Sequence, residues 1–307
     1  MSQAFVFPGQ GSQSVGMMQK LAEHSSLIKD TFDEASSALG IDLWAIVSTG
    51  PEDKLNSTDI TQPGMLAAGY ATWRVWLAAG GAPPAIMAGH SLGEYTALVC
   101  AGAIDFKDAL KLVSARGRYM QEAVPAGTGA MAAILGLDDD IVKQVCAQAA
   151  QEEIVEAVNF NSPGQVVIAG HKSGVERAAE LAKQKGAKRA VILPVSVPSH
   201  CQLMKPAADQ LARDLAAITF ATPSIPVINN EDVAIVEDAD AIRDALTRQL
   251  FQPVRWVEII QKMASDGVEK IIECGPGKVL LGLNKRIDKS LQHAAIVDSE
   301  SLQSLFN

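Results

Sequence analysis

The chain has 307 residues, enough for one large domain or two of ordinary size, and its 48% hydrophobic and 20% charged content is that of a globular enzyme rather than a disordered chain. An excess of acidic residues, 35 Asp and Glu against 26 Lys and Arg, argues against nucleic acid as a partner. No stretch approaches the roughly 20 apolar residues of a membrane helix, and MSQAFVFPGQGSQ lacks a basic segment leading into a long apolar run, so a cytoplasmic protein without a secretory signal is expected.

In chain order, AFVF (4–7) reads as a strand that runs into Pro8-Gly9-Gln10-Gly11. An early polar helix carries His24. Residues 64–79 read as an amphipathic helix, and AIMAG (85–89) as a strand ending in Gly89-His90-Ser91. Helical patterns follow at 92–102 and 107–123. After VPAGTG (124–129) the order changes to strand 130–137, helix 139–150, strand 155–160, a turn at Asn161-Ser162-Pro163-Gly164, strand 165–169, helix 173–185 and strand 188–195. That βαββαβ order predicts a small ferredoxin-like domain, residues 125–196, inserted into a larger unit. Beyond it come helix 200–216, strand PVIN (226–229), helices 239–250 and 254–264, strand VEKIIEC (268–274) and a C-terminal helix. Strands alternating with helices over 1–124 and 197–307 predict an α/β-hydrolase-like domain with a parallel sheet. In such sheets the loops beyond the strands' carboxyl ends build the ligand site.

The chemistry starts at Gly89-His90-Ser91-Leu92-Gly93, the Gly-x-Ser-x-Gly spacing of a nucleophile elbow. Small residues flank the serine because the tight strand-to-helix turn leaves no room for larger ones. Ser91 then sits at a helix N-terminus, as a nucleophile or simply as a cap. Of the five histidines, His90 lies inside the elbow and should point away from Ser91. His24 and His293 are remote, and His171 falls in an exposed-looking turn. His200, in VPSH at a loop-to-helix boundary, remains as the candidate base. An oxyanion hole needs two backbone N–H groups, one from Leu92 and a second from the glycine-bearing loop FPGQGSQ. That loop lacks the Gly-Lys-Ser/Thr ending of a phosphate loop, as does Gly275-Pro276-Gly277-Lys278. The four cysteines, Cys100, Cys146, Cys201 and Cys274, form no metal-binding pattern and read as reduced thiols.

FPGQGSQ, TQP (61–63), GHSLGEY (89–95), ARGRYMQ (115–121), VPSH (197–200) and GPGKVL (275–280) together resemble the malonyl-CoA:acyl carrier protein transacylases, in order along nearly the whole chain. The resemblance implies Ser91 as nucleophile and His200 as base and then acid. It implies Gln10 and Leu92 as backbone donors of the oxyanion hole, and the main-chain carbonyl of Gln249 as the group orienting His200. Gln62 would line the acyl pocket, and Arg116, rather than Arg118, would grip the malonyl carboxylate. A guanidinium suits that task because it offers two parallel charge-assisted bonds.

The implied activity is acyl-carrier-protein S-malonyltransferase in fatty-acid synthesis, with malonyl-CoA and holo acyl carrier protein as substrates and no metal or redox cofactor. A serine thioesterase or esterase, a catalytically silent carrier-docking module and a polyketide-type acyltransferase with another extender unit are the alternatives. Carrier proteins are acidic, so docking on this acidic chain calls for a basic patch. Lys183, Lys185, Lys188 and Arg189, or Lys285, Arg286 and Lys289, could form one.

Overall fold

The computed structural model describes residues 2–195 and 197–306. The expected domain boundary at residue 196 and the terminal residues 1 and 307 lie outside the described residues. Two separate sheets organise the chain. The first is parallel throughout and comprises β1 (Gln3–Phe7), β2 (Ile86–Gly89), β7 (Val227–Ile228), β8 (Lys270–Cys274) and β9 (Gln292–Ile296), in the order β7-β2-β1-β8-β9. Its central strands are buried on both faces, which is why QAFVF, IMAG and KIIEC are nearly continuous apolar runs.

The second sheet is antiparallel and comprises β3 (Gly129–Leu135), β4 (Val155–Ser162), β5 (Gln165–His171) and β6 (Arg189–Ile192), in the order β4-β5-β3-β6. Helices Asp139–Ala150 and Lys172–Gln184 lie in the connections. The alternation of β3 explains how this sheet serves two purposes. Ala130, Ala132 and Ile134 join the core with Val142, Val145 and Val175 from the two helices, while Met131 faces the other way beside Val158, Val167 and Cys201. Strand β4 is tied to the segment ahead of helix Trp256–Ser265 at Val254, which donates to Val158 O at 2.8 Å and accepts from Phe160 N–H at 3.0 Å.

The helix expected over 64–79 begins six residues earlier, spanning Thr58–Ala78 with Pro63 inside it. Proline removes the N–H that would bond to the carbonyl four residues back. Here that carbonyl, of Asp59, accepts instead from Ser114 Oγ at 3.3 Å. The break implied by the proline is thus repaired by the neighbouring helix Phe106–Ala123. Three further expectations need correction. The helix expected over 200–216 resolves into a short 3₁₀ turn, Gln202–Met204, followed by Lys205–Ala217 with a proline in its first turn; His200 precedes both with a φ of 66°. Strand β4 extends through Ser162, so the turn narrows to Pro163-Gly164. Strand β6 stops at Ile192 rather than 195. Helices Ser26–Leu39, Leu43–Thr49 and Glu52–Leu55, and strand β9, had no counterpart in the sequence reading. No helix among the described residues is long and apolar enough to cross a membrane.

Candidate active site

The carboxyl ends of β1, β2 and β8 converge, and strand order changes direction around β1, the position where open α/β sheets hold ligands. Ser91 leaves β2 with φ 52° and ψ −110° and starts helix Leu92–Cys100. This is a costly conformation for a residue with a Cβ, and it persists only where the surroundings impose it. Two features impose it. A Cβ on Gly93 would stand 2.0 Å from the carbonyl oxygen of Phe7, so only glycine lets the elbow close against β1. Asn230, beyond β7, then clamps the turn: its Oδ1 accepts from Ser91 N–H at 2.7 Å and its Nδ2 donates to Gly89 O at 2.7 Å.

His200 stands opposite. Its Nδ1 lies 2.8 Å from the backbone carbonyl of Gln249. A carbonyl only accepts, so Nδ1 carries the proton and Nε2 is the bare nitrogen. That nitrogen is 2.8 Å from Ser91 Oγ and accepts its hydroxyl. Burial, and secondarily the nearby Arg116 guanidinium, bring the imidazole pKa down to about 3. The ring is therefore a neutral acceptor at ordinary pH.

Arg116 projects from helix Phe106–Ala123 and is 1% exposed. Its Nη1 donates to Gln62 Oε1 at 2.9 Å, while Nη2 donates to Gln249 Oε1 at 3.0 Å and to Ser91 Oγ at 3.3 Å. Nε has no hydrogen-bond partner among the described residues, and the guanidinium sits 5.4 Å from the Tyr95 ring centre. Among the described residues no carboxylate is ion-paired with it. Arg118, two residues on, is exposed and donates to Ser114 Oγ at 3.3 Å.

Gln62 is completely buried and stands behind the guanidinium, with its Nε2 3.4 Å from Met120 Sδ; its contact is with the arginine rather than the cavity. Gln10 and Leu92 border a cavity of about 120 Å³ that also takes in Ser91, Arg116 and His200, roofed by Met131 and Leu193. The approach of the Gln10 loop is close: a Cβ on Gly9 would lie 2.4 Å from His90 O. A larger cleft of about 790 Å³ opens on the far side of His200, between helices Asp139–Ala150 and Trp256–Ser265.

The remaining candidates fall away by position. His90 turns from the nucleophile to Asn161 Oδ1, at 2.8 Å, and packs on Trp256. His171 ends β5 and accepts from Ile154 N–H. Cys201 is buried, donates to Pro198 O, and burial pushes its thiol up to about 12. No cluster of three or more potential metal ligands occurs among the described residues.

Two residues of the site had escaped the sequence reading. One is Asn230. The other is Glu94, buried on the elbow helix, whose Oε2 accepts from Asn230 N–H at 3.0 Å and from Gln249 Nε2 at 2.9 Å. Burial and the neighbouring Glu231 hold the Glu94 carboxyl well above the usual carboxylate range. Asn230 could have been suspected from the polar pair closing the apolar run IPVINN; Glu94 has no local signal.

The seven basic residues of the two candidate docking clusters are all exposed. Lys183 pairs with Glu180. Arg286, on helix Val279–Ile287, donates to Gln165 Oε1 at 2.7 Å. Gln165 faces Leu135 across β5 and β3, and Leu135 faces Arg189 across β3 and β6. The register thus places Arg286 and Arg189 at one end of the antiparallel sheet.

A family model described as "Acyl transferase domain" matches residues 4–300. The malonyl CoA-acyl carrier protein transacylase of Escherichia coli strain K12 is 59% identical over 97% of this chain and 97% of that one. An acyl carrier protein S-malonyltransferase structure from Vibrio cholerae superposes with a TM-score of 0.97 at 61% identity, covering 99% of this chain and 100% of the other. A malonyl-transacylase solved in complex with a type II PKS acyl-carrier protein gives a TM-score of 0.98 at 57% identity, covering 99% and 98%. This chain belongs to the acyl transferase family, among the malonyl-CoA:acyl carrier protein transacylases.

Proposed function

We propose that the protein moves malonyl from malonyl-CoA to the phosphopantetheine thiol of acyl carrier protein through a malonyl ester on Ser91. The observation that carries this reading is Arg116: a sealed guanidinium, 3.3 Å from the serine hydroxyl and without an ion-paired carboxylate among the described residues. An acyl group that brings its own carboxylate completes such a site. An uncharged acyl group leaves the cation unpaired, which typically costs about 2–5 kcal/mol.

In the first half-reaction Ser91 Oγ attacks the thioester carbon as its proton passes to His200 Nε2. The negative charge that develops on the carbonyl oxygen is held by the backbone N–H groups of Leu92 and Gln10. Collapse breaks the C–S bond, and the imidazolium returns its proton to the departing CoA sulfur. The second half runs in reverse with a new thiol. His200 takes the thiol proton, sulfur attacks the ester carbon, and Ser91 Oγ leaves and regains the proton. The Gln249 carbonyl keeps the imidazole in the required tautomer throughout. Serine, histidine and thiol account for every proton and electron pair, so the cycle requires no metal or redox cofactor.

In architecture, the strand orders support a larger α/β-hydrolase-like domain, residues 1–124 and 197–307, and a smaller ferredoxin-like domain, residues 125–196, that roofs the nucleophile. A cytoplasmic setting in fatty-acid synthesis fits both substrates. The relative solved with a type II PKS carrier protein favours polyketide assembly as a second acceptor context. For docking of an acidic carrier protein, the end of the antiparallel sheet that carries Lys188 and Arg189 together with Lys285, Arg286 and Lys289 makes one patch of the two expected clusters. Lys183 and Lys185 flank it.

Arg116→Ala should lower kcat/KM for malonyl-CoA at least 30-fold, the equivalent of about 2 kcal/mol, and lower that for acetyl-CoA much less. Equal losses on both substrates would remove the carboxylate role. Because the folded-state pKa of His200 is depressed, the base is already neutral at mildly acidic pH. The profile of kcat/KM should therefore stay flat from pH 7 down through the ordinary histidine value of about 6.5, and a midpoint there would contradict the assigned environment. Alanine at Lys188, Arg189, Lys285 and Arg286 should raise KM for acyl carrier protein about tenfold and leave that for malonyl-CoA unchanged. An unaltered KM for the carrier would eliminate the patch.

A further inference from the structure

The resemblance assigns only the backbone carbonyl of Gln249 a task, yet its side chain makes three more bonds in a fully buried setting. Oε1 accepts from Arg116 Nη2 at 3.0 Å. Nε2 donates to Ser91 O at 3.0 Å and to Glu94 Oε2 at 2.9 Å. Gln249 closes helix Ala239–Gln249 and is 0% exposed. One residue thus touches the base, the guanidinium, the nucleophile's own peptide and the buried acid behind them.

We propose that the Gln249 side chain is a positioning residue for acyl selectivity, fixing Arg116 beside Ser91 while leaving the guanidinium's charge free for the substrate carboxylate. The inference rests on the malonyl-transfer reading above.

The chemistry of an amide explains why glutamine suits the place. Its carbonyl offers the arginine a dipole rather than a counter-charge, so the guanidinium is oriented but not neutralised. Its NH₂ turns the other way and occupies Glu94. The carboxyl nearest the site is thereby bonded to Gln249 and Asn230 rather than to Arg116. A carboxylate at position 249 would put an internal competitor where the malonyl carboxylate has to bind. An apolar side chain there would leave Nη2 with Ser91 Oγ alone and let the guanidinium shift within the cavity. Gln62, on Nη1, supplies a second neutral amide oxygen of the same kind. The guanidinium is therefore held from two sides by groups that cannot cancel it.

The test compares malonyl-CoA with acetyl-CoA as donors, by kcat/KM, for wild type, Gln249→Met and Gln249→Glu, each checked for a cooperative thermal transition. Both variants keep the backbone carbonyl that orients His200. The malonyl-to-acetyl ratio is expected to fall roughly tenfold with methionine, the loss of one charge-assisted bond, and further with glutamate, which adds the competitor. A merely structural role lowers both substrates in proportion. An unchanged ratio in either variant that folds would overturn the proposal. A wild-type enzyme showing no preference for malonyl would instead sink the functional reading on which it rests.

Discussion

A guanidinium removed from water beside a serine hydroxyl is expensive to maintain, because desolvation is repaid in full only by an opposite charge. Among the described residues none is ion-paired with Arg116. It is steadied by the amide oxygens of Gln62 and Gln249 and by the face of Tyr95. Glu94, the buried acid of the elbow helix, is bonded to Gln249 and Asn230. The unpaired cation sets the rest of the chemistry. It defines which acyl groups complete the site, and it adds to burial in keeping His200 neutral. Because the base leans on a carbonyl rather than a carboxylate, the imidazolium formed in each half-reaction gains little stabilisation and readily gives its proton back.

The fold supplies this arrangement from parts far apart in sequence. Ser91 comes from the end of β2, Gln10 from the end of β1, Arg116 from a helix packed beside Thr58–Ala78, and Gln249 from a helix end. The antiparallel sheet contributes through the side of β3 that its own helices do not cover, where Met131 roofs the cavity. Strand β4 is tied to the chain just after Gln249 through Val254, so the roof and the carbonyl that orients His200 are held by one short segment. Asn230, bridging both sides of the Ser91 turn, holds in place a backbone conformation that few residues adopt unaided.

Much of this was legible in the sequence, for identifiable reasons. Strands buried on both faces announce themselves as apolar runs, and the elbow's glycines mark a turn whose sterics admit little else. The base emerged because the other histidines sat in the wrong places, and the structure puts Arg116 rather than Arg118 beside Ser91. What stayed hidden depends on contacts between distant segments. The helix expected from residue 64 starts at Thr58 instead, and the carbonyl that Pro63 leaves free is satisfied by Ser114, more than fifty residues later. Asn230 and Glu94 are single polar side chains whose meaning lies in partners the linear pattern does not bring near. Arg189 and Arg286 looked unrelated because the contacts that join them through Leu135 and Gln165 exist only in the folded sheet.

Transfer through Ser91 requires the malonyl group to reside on that serine between its two thiols. Intact mass measurement of the protein mixed with malonyl-CoA alone reads this directly. The expected result is one added malonyl group, mapped to Ser91 and discharged by holo acyl carrier protein with stoichiometric appearance of the malonylated carrier. Release of free malonate at the turnover rate with no adduct at Ser91, or an adduct that the carrier cannot discharge, would contradict it.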